Sequence, residues 1–308
     1  MSEYVLQTMN LSKRYRNENV VDQVNMKIHK GDIYGFIGLN GAGKSTCIRL
    51  IAGLTYPTSG TIHLFGSQDD KQLNEARQKI GTLIEHPAFF PHLTARQNLE
   101  VIRLQRGVPG KACIDKVLKQ VGLAETSNKK VKSFSLGMKQ RLGIAIAMLC
   151  EPELLLLDEP INGLDPIGVI EIRELLRQIN QDYGVTILIS SHILSEVHQI
   201  ATSYGFIHQG KLIEQLTAKE LDEKCRAHLL IEVDNTARAV TVLESKLHTL
   251  QYEVLPDGKI KLYSHLQESK LVSKVLMENG LQLEQITPHR DTLEDYFTSL
   301  VKGESSNE

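Results

Sequence analysis

The nine residues Gly38-Leu39-Asn40-Gly41-Ala42-Gly43-Lys44-Ser45-Thr46 constrain this chain more than any other stretch. They satisfy the spacing G-x-x-x-x-G-K-[ST]. Ahead of them, Ile33-Tyr34-Gly35-Phe36-Ile37 reads as a short buried strand. Behind them, Ser45 to Leu54 places Ile48, Leu50, Ile51 and Leu54 at helical spacing. Strand, glycine-rich loop and helix, in that order, form the context that this P-loop motif requires. The glycines let the backbone curl until its N–H groups converge on an anion. The start of the helix adds the positive end of its dipole. Lys44 supplies a point charge for β- and γ-phosphates, and Ser45 a hydroxyl for Mg²⁺. A chance glycine turn before a helix would meet the same spacing, so the other motifs must decide.

With 308 residues the chain is long enough for two domains and a sizeable core. Its 23% charged and 41% hydrophobic residues are ordinary for a globular protein. A net charge of −2 gives no electrostatic reason to expect a nucleic-acid partner. Cys47, Cys113, Cys150 and Cys225 are scattered without a C-x-x-C pair, which argues against a disulfide framework and fits a reducing compartment. The start, Met1-Ser2-Glu3-Tyr4, has neither the basic nor the apolar region of a signal peptide. The longest strongly apolar run, Leu142 to Cys150, falls well short of the ~20 residues needed to span a bilayer. Work at a membrane would therefore need another chain to do the spanning.

Taken in order, Tyr4-Val5-Leu6 and then Val20 to Ile28 read as strands. Between them Tyr15 could stack on an adenine ring, although a lone Tyr there is equally ordinary surface packing. Strands are expected at Thr61–Phe65 and at Ile80–Ile84, the latter ending at Glu85, with a helix over 71–79 between them. The loop 86–93 holds two prolines and Phe89-Phe90, readable as exposed aromatics or as a hydrophobic staple for a helix capped by Thr94. Helices at about 94–106 and 111–121 open a helical insertion of about 86–150. Ser135 and Gly137 stand at the start of a helix. They make either a second anion site or a plain N-cap.

Leu154-Leu155-Leu156-Leu157 has no polar face, as a strand covered on both sides requires. It ends in Asp158 and Glu159, where a parallel sheet turns toward its ligand crevice. Asp158 can hold Mg²⁺, and Glu159 can polarise a water. Asn162 to Pro166 is a turn into a helix over 166–181. A further buried strand, Val185–Ile189, leads to Ser190-Ser191-His192, and His192 would lie near a γ-phosphate. Strands at about 203–208 and 211–216 close this part. The remainder reads β-α-β-β-α-β with an Asp257-Gly258 hairpin turn and a final helix over Leu293–Leu300. No catalytic cluster is visible there, and Lys302 to Glu308 read as a disordered end.

Over residues 4–216 this set resembles the ATP-binding subunit of ABC transporters. The elements stand in that family's order: Tyr15, the P-loop at 38–46, Glu85, a signature at 134–138, an acidic strand end at 154–159, the D-loop at 162–166 and His192. The resemblance implies an α/β fold: a P-loop ATPase core with an antiparallel β subdomain and the helical insertion. To this the sequence adds a C-terminal ferredoxin-like α+β domain, giving domains 1–217 and 218–308. ATP and Mg²⁺ are the implied cofactors. Lys44, Glu159 and His192 are the implied catalytic residues. Tyr15, Gly38, Asn40, Gly41, Ala42, Gly43, Lys44, Ser45, Thr46, Ser135, Gly137 and Asp165 would bind nucleotide. Ser45, Asp158 and Glu85 would meet the metal. The implied partners are a second copy, in a head-to-tail dimer with ATP sandwiched between P-loop and signature, and an integral-membrane permease, with no nucleic acid. The implied place is the cytoplasmic face of the cell membrane.

Two departures narrow the resemblance. The family's Leu-Ser-Gly-Gly-Gln is here Phe134-Ser135-Leu136-Gly137-Met138, and its loop glutamine is Glu85. Both, with the ending Thr292-Leu293-Glu294-Asp295-Tyr296-Phe297, are similar to the bacitracin and lantibiotic self-protection exporters. The implied function is the ATPase motor of an exporter of, or resistance to, a peptide antibiotic or similar amphipathic compound. The alternative is a soluble ATPase of the same type acting on ribosomes or nucleic acid.

Overall fold

The computed structural model describes residues 4–85, 89–126 and 128–305. The chain divides into two compact units, Met1–Ala218 and Lys219–Glu308.

The first unit holds two sheets. In the antiparallel one, the long strand β1 (Tyr4–Tyr15) pairs with β2 (Glu18–Val24), β3 (Lys27–His29) and, after the P-loop, β5 (Ser59–Leu64). The expected single strand from Val20 to Ile28 is thus two. Asn25 and Met26 lie outside either strand, and β2 and β3 pair with different halves of β1; Gln23, at a φ of 49°, falls within β2.

The second sheet contains the sequence motifs. Strand β4 (Ile33–Ile37) leads through the P-loop into α1 (Lys44–Ile51). Helix α2 (Asp70–Arg77) precedes β6 (Ile80–Leu83). The helical insertion contributes α3 (Ala95–Gln105), α4 (Ala112–Gln120) and α5 (Leu136–Met148). Then come β7 (Leu154–Asp158), α6 (Pro166–Tyr183), β8 (Thr186–Ser191), a short α7 (Leu194–His198), β9 (Ser203–His208) and β10 (Lys211–Thr217). The strand order is β10-β9-β4-β8-β7-β6, parallel except at the β9–β10 edge. Every residue of β4, β7 and β8 is buried, which is why these strands read as unbroken apolar runs. Parallel pairing delivers their carboxyl ends to one edge, where the loops carrying polar groups emerge.

Thr94 caps α3 in a capping box with Gln97. Of the two readings of Phe89-Phe90, exposure fits Phe90, which is half exposed, and Asn98 holds its backbone N–H and carbonyl with two hydrogen bonds. His86, Pro87 and Ala88 of that loop lie outside the described residues.

The second unit begins within α8 (Ala218–Lys224). Its elements are β11 (Ala227–Val233), α9 (Thr236–Leu247), β12 (Tyr252–Val254), β13 (Ile260–Leu262), α10 (Ser269–Glu278), β14 (Leu283–Arg290) and α11 (Leu293–Ser305). The sheet order is β12-β13-β11-β14, with every pair antiparallel. Leu229, Ile231, Ile260 and Leu262 on one sheet face pack with Leu243 of α9 and Val272 and Leu276 of α10. Helix α11 runs on to Ser305, so part of the stretch expected to be disordered is helical.

Candidate active site

Gly43 caps α1 at a φ of 105°, a conformation that favours glycine. A Cβ there would lie 2.5 Å from the Val20 carbonyl oxygen, and one on Gly38 would lie 2.5 Å from that of Ile207. The loop therefore packs closely on β2 and β9. It is tied further by Gly38 N–H to Ser191 O at 3.2 Å and by Gly210 N–H to Ala42 O at 3.0 Å. This is a rigid cradle whose helix N-terminus can hold an anion without rearrangement. Ala42 is buried, whereas Asn40 and Gly41 are exposed.

Lys44 is only 6% exposed, and its three donors are all engaged. Nζ donates to Gly38 O at 2.7 Å and Leu39 O at 3.2 Å, and lies 3.2 Å from Glu159 Oε1. The other oxygen of that carboxylate, Oε2, is 2.8 Å from His192 Nδ1. Glu159 thus bridges the P-loop lysine and the histidine after β8. Its backbone φ of 51° turns it sharply off the strand end. The structure brings together Lys44, Glu159 and His192, residues that are far apart in sequence.

One member of the cluster was not singled out by the sequence. Ser190, fully buried, sits directly opposite Asp158 in the β7–β8 ladder. Its hydroxyl donates to Asp158 Oδ1 at 2.6 Å and accepts from the Glu159 N–H at 2.9 Å. It fixes both acids at once. The signal was only a serine at the end of a buried strand, and its partner became visible once the register was known.

Asp158 is buried. Its carboxylate and the Ser45 hydroxyl are hard oxygen donors, a set that fits Mg²⁺. Glu85 stands two residues past the end of β6, as Glu159 stands two past Leu157, the register partner of Leu83. The Glu85 carboxylate is paired with Arg49 of α1, and its side chain is 63% exposed. The guanidinium offsets its charge. Tyr15 lies at the tip of the β1–β2 hairpin, half exposed, with Lys13 Nζ 5.0 Å from its ring centroid. The same hairpin presses Val20 on Gly43, so the aromatic ring belongs to a segment that borders the P-loop. Cys47, buried in α1, is a packing group: burial pushes its thiol up to about 12, far from a reactive thiolate.

Ser135 caps α5, accepting from Met138 N–H at 3.2 Å, and Asp165 caps α6, accepting from Gly168 N–H at 3.1 Å. The two caps adjoin: a Cβ on Gly163 would lie 3.4 Å from Leu136 Cδ2, and one on Gly137 3.9 Å from Leu164 Cδ2. Within one chain the signature therefore packs with the D-loop. The P-loop meets Glu159 through Lys44, and Glu159 in turn reaches His192.

A model of the ABC transporter family matches residues 21–162. The bacitracin transport ATP-binding protein BcrA of Bacillus licheniformis is 45% identical over 299 residues, 97% of this chain and 98% of its own length. The chain belongs to the ABC transporter family.

The lantibiotic transport ATP-binding protein SrtF of Streptococcus pyogenes is 44% identical over 231 residues, 74% of this chain and 99% of its own. Among solved structures, an ATP-binding subunit of an ABC transporter superposes with a TM-score of 0.63 at 30% identity, covering 71% of this chain and 92% of its own. A dimeric cassette, MJ0796 bound to ADP and Pi, gives 0.62 at 25% identity over 69% of this chain and 98% of its own. The chain is thus an ABC-type ATPase that uses ATP and Mg²⁺ and couples hydrolysis to transport. No helix among the described residues is long and apolar enough to cross a membrane.

Proposed function

We propose that this ATPase drives an exporter that clears a peptide antibiotic or similar amphipathic compound, through a separate permease in the membrane. The observation that carries the motor role is the continuous Lys44–Glu159–His192 contact at the end of the parallel sheet. The cargo class rests on the near end-to-end similarity to a protein named for bacitracin transport. The chain works at the cytoplasmic face of the membrane, on this reading. The alternative, an ATPase acting on ribosomes or nucleic acid, finds no support in a net charge of −2.

In this account Glu159 is the general base. It takes a proton from the water that attacks the γ-phosphorus as the bond to the β–γ bridging oxygen breaks and ADP leaves, and His192 holds its Oε2 so that the carboxylate faces that water. Lys44 contributes positive charge at the transferring phosphoryl group. When bound through Ser45 and Asp158, Mg²⁺ supplies further charge neutralisation there. Tyr15 stacks on the adenine. Ser135, Gly137 and Asp165 of a second copy complete the site in a head-to-tail homodimer. The second unit serves as a separately folded regulatory or dimer-supporting module.

The test is protection. Co-expression with its membrane permease should raise the tolerance of a sensitive strain to a cyclic peptide antibiotic. Lys44→Ala, which removes a phosphate contact, should abolish that tolerance. Equal tolerance with the Lys44→Ala chain would remove the motor role.

A further inference from the structure

We propose that His228, His289 and Asp291 form a site in the second unit for a divalent transition ion of the zinc kind. His228 on β11 and His289 on β14 are direct cross-strand partners, so their side chains leave the sheet on one face. Their ring centroids are 5.3 Å apart. Asp291 follows two residues after His289, and its Oδ1 lies 3.5 Å from His289 Nε2. One ligand atom from each of the three lies within 4.8 Å of the other two.

The deciding observation is the state of His228. It is 1% exposed, its Nδ1 lies 3.3 Å from the Arg226 carbonyl oxygen, and its Nε2 has no hydrogen-bond partner. An Nδ1–H donated to a backbone carbonyl leaves the lone pair on Nε2, the arrangement of a metal-bound imidazole. A polar atom so deeply buried calls for a partner, and a cation would supply it.

Two imidazoles and one carboxylate suit Zn²⁺ with a fourth position open to water. Zn–N bonds near 2.0–2.1 Å place tetrahedral ligand atoms about 3.4 Å apart. The half-exposed His289 has room to close that difference by a rotamer adjustment. Lys261 pairs with Asp291 Oδ2, the opposite oxygen to the one facing His289. It would therefore orient the carboxylate from outside the coordination shell, at some cost in affinity from its own charge. An open cavity of about 730 Å³, lined by Arg226, Lys261, Tyr263 and Asp291 among others, borders the site at Asp291. The ion would clip β11 to the end of β14, next to the Thr292–Asp295 cap of α11.

The test uses the full chain, stripped of metal and without nucleotide, titrated with CoCl₂ and then ZnSO₄. One Co²⁺ per chain should bind with the visible bands of a four- or five-coordinate ion, and Zn²⁺ should displace it. His289→Ala changes an exposed side chain that the fold can spare, and it should weaken binding at least ~10-fold. Asp291→Asn should weaken binding as well, whereas Cys113→Ser, which removes a free thiol in the first unit, should leave it unchanged. Absence of stoichiometric binding would overturn the site. So would equal binding by the His289→Ala chain, or loss of binding in the Cys113→Ser chain.

Discussion

The two sheets that organise the two units handle polar groups in opposite ways. In the first unit the parallel strands are buried on both faces, so polar groups concentrate at their carboxyl ends and bond to one another there. In the second unit the antiparallel sheet has one apolar face packed on α9 and α10. Its polar residues, His228 and Lys261 among them, stand on the other face, spread along the strands. A parallel sheet thus makes a single chemical edge, whereas an antiparallel one makes a polar surface. The first arrangement suits a reaction and the second suits recognition or bracing.

If that contrast is right, damage in one unit should leave the other's readout intact. The largest effect is expected at Glu159. Glu159→Gln should slow hydrolysis by ~10²–10⁴-fold, retain ATP binding, and accumulate an ATP-bound dimer on gel filtration. Near-normal turnover would remove Glu159 as general base. Next comes Ile231, fully buried in the second unit. Ile231→Ala should destabilise that unit by ~2–5 kcal/mol, read as a lower second transition in calorimetry, while nucleotide affinity holds. Loss of ATP binding in that variant would break the separation.

Ser190→Ala removes the hydroxyl shared by Asp158 and Glu159 and leaves the buried carboxylate short of a donor, at a cost of ~1–3 kcal/mol. Because Ser190 acts by positioning, kcat should fall more than ATP affinity, and Ser190→Thr should recover part of it. Equal losses in both would make the role merely structural. The smallest effect is expected at Glu85. An exposed pair such as Arg49–Glu85 contributes about 0–1 kcal/mol. Glu85→Gln should therefore leave both the ATPase rate and its Mg²⁺ dependence close to those of the parent chain. A marked shift in Mg²⁺ dependence would return Glu85 to the metal.

Much of the first unit was legible because its function demands unusual backbone. Gly38 and Gly43 stand where a side chain would strike the Val20 and Ile207 carbonyls, and that demand is written directly into the sequence. The leucine run of β7 declared its burial in the same way. What escaped was pairwise. Ser190 gains meaning only from standing opposite Asp158, and Glu85 only from facing Arg49. The two halves of the strand expected over 20–28 part company because they pair with different stretches of β1. In the second unit the hairpin turn and apolar alternation marked the elements, but the His228–His289 pair depends on the β11–β14 register. That register joins residues about sixty positions apart.

The central claim is that the first unit alone carries the nucleotide chemistry. The relative SrtF, matched over 231 residues and 99% of its length, is close in size to that unit. MgATP binding by a chain ending at Ala218, measured by calorimetry beside the full chain, tests this most directly. The account predicts a folded protein with the full chain's affinity for MgATP. An insoluble product, or one that binds no nucleotide, would contradict it and make the second unit part of the ATPase core.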